Sequence, residues 1–214
     1  MSPSSLLSST ATGEALTPQD LGVGARFTVG VMADDFAGII LAALRGADAA
    51  DLDVQTDPVS TLVRGSEQRV LEYITAVVAG AARSGRHVTA SILLSRGCPG
   101  EVTCTVTPGL LAGATEVPDL PATGIHASAH WSLYPLDDTG RPGEAPDHLR
   151  DIYAAIEYAK ERGTYVRGEH YATLLEGDLA DVLATVAAGW VLVGRSVQHV
   201  TSHAVISIAS PREV

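Results

Sequence analysis

A self-repeat at a fixed offset constrains this chain more than any other feature. With the sequence shifted by 112 residues, Phe36–Pro99 lies over His148–Pro211 without a gap, and eighteen of those 64 positions are identical. The matches include Thr61–Leu62 with Thr173–Leu174, Gly65 with Gly177, Val70–Leu71 with Val182–Leu183, and His87–Val88–Thr89 with His199–Val200–Thr201. Ahead of this block Phe27 matches Trp131 once Thr139–Pro146 is treated as an insertion. A period this long marks a duplicated domain and not a solenoid repeat. The chain must therefore fold as two copies of one unit.

Each copy reads as the same string of elements. Arg26–Met32 is β-rich and partly alternating, which predicts a strand. Asp34 or Asp35 can cap a helix over Phe36–Arg45, its carboxylate accepting a backbone N–H that the first turn leaves unpaired. Short strands follow at Leu52–Asp57 and Val59–Arg64. Ser66 then caps a longer helix whose apolar residues Val70, Ile74, Val78 and Ala81 recur at helical spacing. In the second copy Asp178 is the equivalent cap, and Val182, Val186, Trp190 and Val193 form the same stripe. A turn at Ser84–Arg86 leads to a last strand, His87–Leu94, matched by His199–Ile206.

The order βαββαβ, twice, predicts an α/β (α+β) sandwich of tandem ferredoxin-like, ACT-type repeats with antiparallel sheets. Helices would cover one face of each four-stranded sheet. The other face would need a cover, which two units could supply by packing sheet to sheet within the chain or across a dimer. The expected division is a loose N-terminal segment over 1–22 and a first repeat over 23–97. A Gly-, Pro- and Thr-rich linker over 98–126 and a second repeat over 127–211 complete it.

Composition then removes whole classes of function. A net charge of −11 with one lysine, Lys160, and scattered arginines argues against nucleic acid, whose binders cluster basic residues on phosphates. The most apolar stretch, Val182–Val193, is short of the roughly 20 residues that span a bilayer, so no membrane insertion is expected. Two cysteines, Cys98 and Cys104, do not make a disulfide scaffold, and the first residues lack a signal-peptide pattern. These features predict a cytoplasmic protein.

No motif for an enzyme stands out. There is no phosphate-binding Walker loop, no G-x-S-x-G, no H-E-x-x-H and no paired C-x-x-C. Gly22-Val23-Gly24 precedes a strand instead of following one, so it is not a dinucleotide fingerprint. Neither the cysteines nor the same-face pairs His126/His130 and His199/His203 complete a metal set, so neither metal nor cofactor is expected.

Four small constellations remain. The first runs from Thr56-Asp57 through Ser60-Thr61 to Arg64-Gly65. Turn chemistry accounts for Asp57 beside Pro58 but not for Ser60 or Arg64, and a bound ligand could partner them. The second is the equivalent place in copy two, Gly168-Glu169-His170-Tyr171 through Thr173 to Glu176-Gly177-Asp178. There an aromatic ring beside a histidine and carboxylates suits a flat heterocycle, or Tyr171 is core and Glu176 surface. The third is Gly97-Cys98-Pro99-Gly100, where a free cysteine is either packing or ligand contact. The fourth is Leu133-Tyr134-Pro135, where Tyr134 is either an edge aromatic or part of a site.

In this order and at these spacings, the four pieces resemble the YkoF family of thiamine/hydroxymethylpyrimidine-binding proteins. Further matching pieces are Phe27, Met32-Ala33-Asp34-Asp35-Phe36 and Gly163-Thr164, and the likeness runs from about Gly24 to Pro211. It implies tandem ACT-like units, a homodimer, and non-enzymatic binding of thiamine through its aminopyrimidine. The implied setting is thiamine or pyrimidine salvage or transport, with a transporter component as a possible partner. The residues it points to as ligand-binding are Thr56, Asp57, Ser60, Thr61, Arg64, Cys98, Tyr134, Glu169, His170 and Tyr171. An acidic chain also suits a cationic thiazolium.

Copy one departs from the family pattern by carrying Val29-Gly30-Val31 where copy two has Leu133-Tyr134-Pro135. Glu169 stands where the family is apolar. Unequal sites are the expectation. Two other readings compete: an ACT-like regulatory module sensing a small metabolite such as an amino acid, and a ferredoxin-like dimeric enzyme using His170 and Glu176 as acid and base.

Overall fold

The computed structural model describes residues 21–97, 116–136, 148–195, 197 and 199–211. The first copy comprises β1 (Gly24–Val31), α1 (Phe36–Gly46), β2 (Asp53–Thr56), β3 (Thr61–Arg64), α2 (Glu67–Ala82) and β4 (Val88–Arg96). The second repeats it with β5 (His126–Leu136), α3 (His148–Glu161), β6 (Tyr165–Glu169), β7 (Ala172–Asp178), α4 (Leu179–Val193) and β8 (His199–Ile208). Every ladder is antiparallel. Both copies show the βαββαβ unit that the repeat predicts.

The two units do not stack sheet to sheet within the chain. They join edge to edge, β4 against β8, into one eight-stranded sheet of order β2-β3-β1-β4-β8-β5-β7-β6. At the centre of this seam Ile92 pairs with Ala204, its own equivalent 112 residues on. The copies are thus related by a pseudo-twofold axis through that pair. The backbone groups of two long strands satisfy one another there, which side-chain patterning cannot announce.

Strand alternation sends the apolar residues to one side. Ala25 and Phe27 of β1, Ile92 and Leu94 of β4, Ala129 and Trp131 of β5, and Ala204 and Ile206 of β8 are buried under the helices. The residues between them, including Arg26, Thr28, Ser91, Leu93, His130, His203 and Val205, point to the opposite, open face. Helices α2 and α4 lie side by side across the seam, and nearly every residue of α4 is buried.

The capping residues act largely as the sequence predicts. Ser66 accepts from Arg69 N, and Asp178 accepts from Ala180 N at 2.8 Å. Asp35 sits at the N-cap of α1 but makes no side-chain capping bond. The described part of the connection between copies is tied down at both ends. Gln68 exchanges two hydrogen bonds with the backbone of Asp119, and the Asp178 carboxylate accepts from the N–H groups of Thr123 and Gly124. Burial would raise the Asp178 pKa, but these bonds and the cap outweigh it and hold the carboxyl below its usual range.

Beneath the sheet the copies differ by a matched set of exchanges. Copy one places Phe27 near Tyr73, ring edge to face, and has Val77 and Ala90 at the next positions. Copy two places the larger Trp131 where Phe27 stands, with Gly189 for Val77 and Ser202 for Ala90. A Cβ on Gly189 would lie 2.5 Å from the Trp131 ring. The indole N–H donates to Ser202 Oγ at 2.8 Å, and that hydroxyl donates to Val186 O at 2.9 Å. The indole thus fits because Gly189 carries no side chain and Ser202 supplies a hydroxyl.

One ion pair is fully enclosed between the copies. Arg96, 1% exposed at the end of β4, lies 3.3 Å from the buried Glu67 carboxylate at the start of α2. Its guanidinium fills the space that a side chain at Gly194 would need. Among the described residues, no helix is long and apolar enough to cross a membrane, and no group of three or more metal-ligating side chains forms.

Candidate functional site

The two copies open equivalent pockets, each toward the C-terminal end of its own first strand, which the pseudo-twofold places at opposite ends of the eight-stranded sheet. In copy one, β3 pairs with β1 only as far as Phe27–Thr61, leaving the last residues of β1 without a β3 partner. The β2–β3 turn closes over this gap and α1 supplies the far wall. The result is a pocket of about 170 Å³ floored by Phe27, Val77 and Thr61, walled by Ile40 and Leu44, and roofed by Asp57–Ser60. Copy two repeats the arrangement with about 300 Å³. There Trp131 and Thr173 are the floor, Ile152 and Ile156 of α3 the wall, and Glu169, Tyr171 and Ala172 the roof.

One hydrogen bond recurs in both copies and fixes the roof. Thr28 Oγ1 donates to Val59 O at 2.8 Å, and Ser132 Oγ donates to Tyr171 O, also at 2.8 Å. Thr28 and Ser132 are equivalent, as are Val59 and Tyr171. A hydroxyl on the first strand of each copy thereby holds the tip of the turn.

The polar groups of the two pockets are committed differently. In copy one Asp57 accepts from the N–H groups of Val59 and Ser60, each at 2.8 Å, and from Arg26 at 2.9 Å. The Ser60 and Val59 N–H groups, then Arg26, hold its carboxyl below the usual range. Arg26 also donates to Ser60 Oγ at 2.8 Å, and Thr56 and Thr61 share a hydroxyl–hydroxyl bond at 3.0 Å. This cluster is already self-satisfied, so turn chemistry explains Asp57.

Copy two leaves groups free. Glu169 Oε1 accepts from Arg167 at 2.6 Å, while its second oxygen has no hydrogen bond among the described residues. Tyr134 and Tyr171 are 51% and 95% exposed at the pocket, where copy one has Gly30 and Val59. Tyr171 is also held at φ +67, a left-handed conformation that costs a non-glycine residue about 1–2 kcal/mol. Tyr171 stands in the two-residue turn between β6 and β7, where hairpin geometry calls for positive φ, and its ring is left in solvent at the pocket mouth.

The sequence-derived set therefore divides. Thr56, Asp57, Ser60 and Thr61 come together at the first pocket; Tyr134, Glu169 and Tyr171 come together at the second. His170 stands at the tip beside Tyr171, ring centroids 6.1 Å apart, but does not line the pocket. Arg64 points away, its guanidinium bonded to Asp53 on β2, with Nε at 2.9 Å. Cys98 lies outside the described residues. His170 and Glu176 are not brought together either: Ala172 and Glu176 alone are separated by about 13 Å of strand. Sequence reasoning missed Arg26, an isolated charge between the buried Ala25 and Phe27, and the aliphatic walls from α1 (Ile40, Leu44) and α3 (Ile152, Ile156).

Comparison with known proteins agrees with the duplicated geometry. The model of the YKOF-related family matches this chain twice, over residues 22–101 and 126–213, one match to each copy. The chain belongs to the YkoF-related family. A curated relative from Bacillus subtilis (strain 168), "Putative HMP/thiamine-binding protein YkoF", is 34% identical over 193 residues, covering 88% of this chain and 90% of that protein. The YkoF-related family match supplies the fold assignment independently of the strand order, and its two segments bracket both pockets.

Proposed function

We propose that this protein binds thiamine, or its hydroxymethylpyrimidine half, without chemically altering it, and that the copy-two pocket is the stronger site. The observation that carries the reading is the pairing of two exposed tyrosines with a Glu169 oxygen that has no hydrogen bond among the described residues, over an apolar floor. An aminopyrimidine is a flat ring with an amine donor and ring-nitrogen acceptors. A carboxylate oxygen can take the amine hydrogen, a tyrosine ring can stack on the heterocycle, and a positive thiazolium gains from a nearby aromatic face. Thr173 supplies a hydroxyl for a ring nitrogen. In copy one the ligand meets Thr56, Ser60 and Thr61 but no exposed ring, so binding there is weaker. The family relationship and the name of the Bacillus relative support the ligand class.

The open sheet face is the second part of the proposal. Leu93 and Val205 are exposed among serines, threonines and histidines along β4, β8 and β5, and a second copy stacked there would cover them. A homodimer serving salvage or uptake of thiamine or its pyrimidine is the assembly that fits.

Calorimetric titration with thiamine, hydroxymethylpyrimidine and the thiazole half tests the reading. Thiamine and the pyrimidine should bind and the thiazole should not. Tyr171→Ala and Glu169→Gln should each weaken the stronger site by about tenfold, the loss of one charged hydrogen bond or one stacked ring. Absence of binding by thiamine and by the pyrimidine at millimolar concentration would refute the proposal.

A further inference from the structure

Helix α1 is apolar along its length, with Arg45 as its one charged residue, yet only Ala43 in it is buried. Ile39, Ile40 and Leu44 are half-buried, the last two as the wall of the copy-one pocket. At about 100° per residue, the side opposite Ala43 carries Ala37, Gly38, Leu41 and Arg45, and all four are exposed. Leu41 is 50% exposed, and Met32 and Phe36, at the entry to the helix, are 63% and 53% exposed. A surface helix normally turns polar residues outward, and here the middle of the outward stripe is apolar.

Copy two shows that the fold does not require this stripe. The equivalents of Gly38, Leu41 and Arg45 in α3 are Arg150, Tyr153 and Glu157, and Glu157 accepts from Lys160 on the same helix at 2.7 Å. Gly38 has no packing reason within its own chain either. A Cβ there would meet nothing within 4 Å, although glycine inside a helix is less stable than alanine.

The ends of the stripe carry opposite charges. Asp34 and Asp35 precede the helix and Arg45 stands in its last turn, all exposed. None of the three side chains makes a hydrogen bond or ion pair among the described residues. Their placement suits the helix dipole, which explains the charges but not the bare leucine and glycine between them. An antiparallel copy of α1 laid on the stripe meets all of these features in a single register. Arg45 of each helix reaches Asp34 of the other, Ala37 faces Ala42, and Leu41 seats on the open side of Gly38.

We infer that the outer face of α1 is a self-association surface whose occupant is α1 of a second copy, antiparallel about a twofold axis. An isologous contact uses one patch twice, and large on small with acid on base makes this patch its own complement. One eleven-residue helix per chain is a small contact beside the roughly 1,200–2,000 Å² of a stable complex, so it fills as concentration rises. The stripe lies on the helix side of the sheet, away from the open face, and none of Ala37, Gly38, Leu41 and Arg45 lines either pocket. The inference is therefore independent of the thiamine reading and of stacking across the open face.

The test is sedimentation velocity of the full chain over a concentration series from about 10 μM to 1 mM. A species of twice the mass of the low-concentration form should grow in. Leu41→Glu should abolish the doubling and, because Leu41 faces solvent, keep the wild-type melting curve. Asp34→Arg and Arg45→Glu should each weaken it by about tenfold, since each sets like charges against one another at both ends of the contact. An equimolar mixture of those two variants should recover it, because every end then pairs acid with base. Leu93→Glu, on the open face, should lower the mass of the low-concentration form without removing the doubling, so the two contacts fail separately. A single mass at all concentrations, a doubling that survives Leu41→Glu, or no recovery in the mixture would overturn the inference.

Discussion

Replacing the three copy-two residues beneath the second pocket by their copy-one counterparts should be far less damaging than the single changes suggest. Gly189→Val drives a side chain into the Trp131 ring, where even a Cβ would be 2.5 Å away. Overpacking of this kind costs about 1–3 kcal/mol, and the better helix propensity of valine returns only about 0.4 kcal/mol. Trp131→Phe removes part of a buried ring and the indole bond to Ser202, a loss of about 2 kcal/mol. Adding the two costs predicts a loss of about 3–5 kcal/mol. Yet the smaller phenyl ring vacates the volume that valine needs, so the double variant should lose only about 1 kcal/mol. Ser202→Ala should then be nearly neutral, because no indole N–H remains to be satisfied. Urea denaturation of the wild type, both single variants, the double and the triple measures the coupling directly, with a constant slope as the check on two-state behaviour. A coupling of about 2–4 kcal/mol is expected, equivalent to several degrees of melting temperature for a chain of this size. Additivity to within about 0.5 kcal/mol would refute the view that these positions form one packing unit.

The enclosed ion pair and the shared cap give further tests. Arg96→Met leaves Glu67 buried without its partner and should destabilise by about 3–5 kcal/mol, while Arg96→Met with Glu67→Leu should recover most of it; equal losses in denaturant would contradict the pairing. Asp178→Ala should cost about 1–2 kcal/mol at neutral pH through the lost cap and the loss of bonds to Thr123 and Gly124. Because folding lowers the Asp178 pKa, its contribution is full above the ordinary aspartate value of about 3.9 and fades as pH falls through the lower folded value. The gap between wild type and variant should therefore close in acid, and a gap independent of pH between 7 and 2 would disprove this role.

Much of the fold was legible because duplication printed each element twice. The stripe Val70–Ile74–Val78 and its echo Val182–Val186–Trp190 place α2 and α4, and Ser66 and Asp178 mark their starts. The strand bounds differ from the expected ones by a residue or two, at ends where side chains no longer alternate. The mode of joining was not legible. His199–Ile206 alternates in the same way whether β8 is an edge strand or, as here, sits between β4 and β5. Edge pairing uses backbone groups, which are the same for every residue type.

The candidate site was legible by residue type but not by commitment. Asp57 and Glu169 look alike in sequence, yet one is consumed by its turn and by Arg26, while the other keeps an oxygen without a hydrogen bond among the described residues. Arg64 is likewise committed, to Asp53, eleven residues earlier and opposite it across the hairpin. Such differences depend on which strand lies opposite, and spacing along the chain does not reveal it.

The pseudo-twofold seam bears on how such a protein could have arisen. A single βαββαβ unit with this β4 would present a nine-residue edge strand to solvent, a ready template for another chain. Pairing that edge with an identical unit, Ile92 against the equivalent residue, would build this same sheet from two separate molecules. In such an assembly every substitution strikes both sides at once, so glycine at the Val77 position would hollow both floors. Fusion removes that tie. One half could keep phenylalanine over valine while the other took tryptophan over glycine, and a molecule with two identical floors could come to have two different ones.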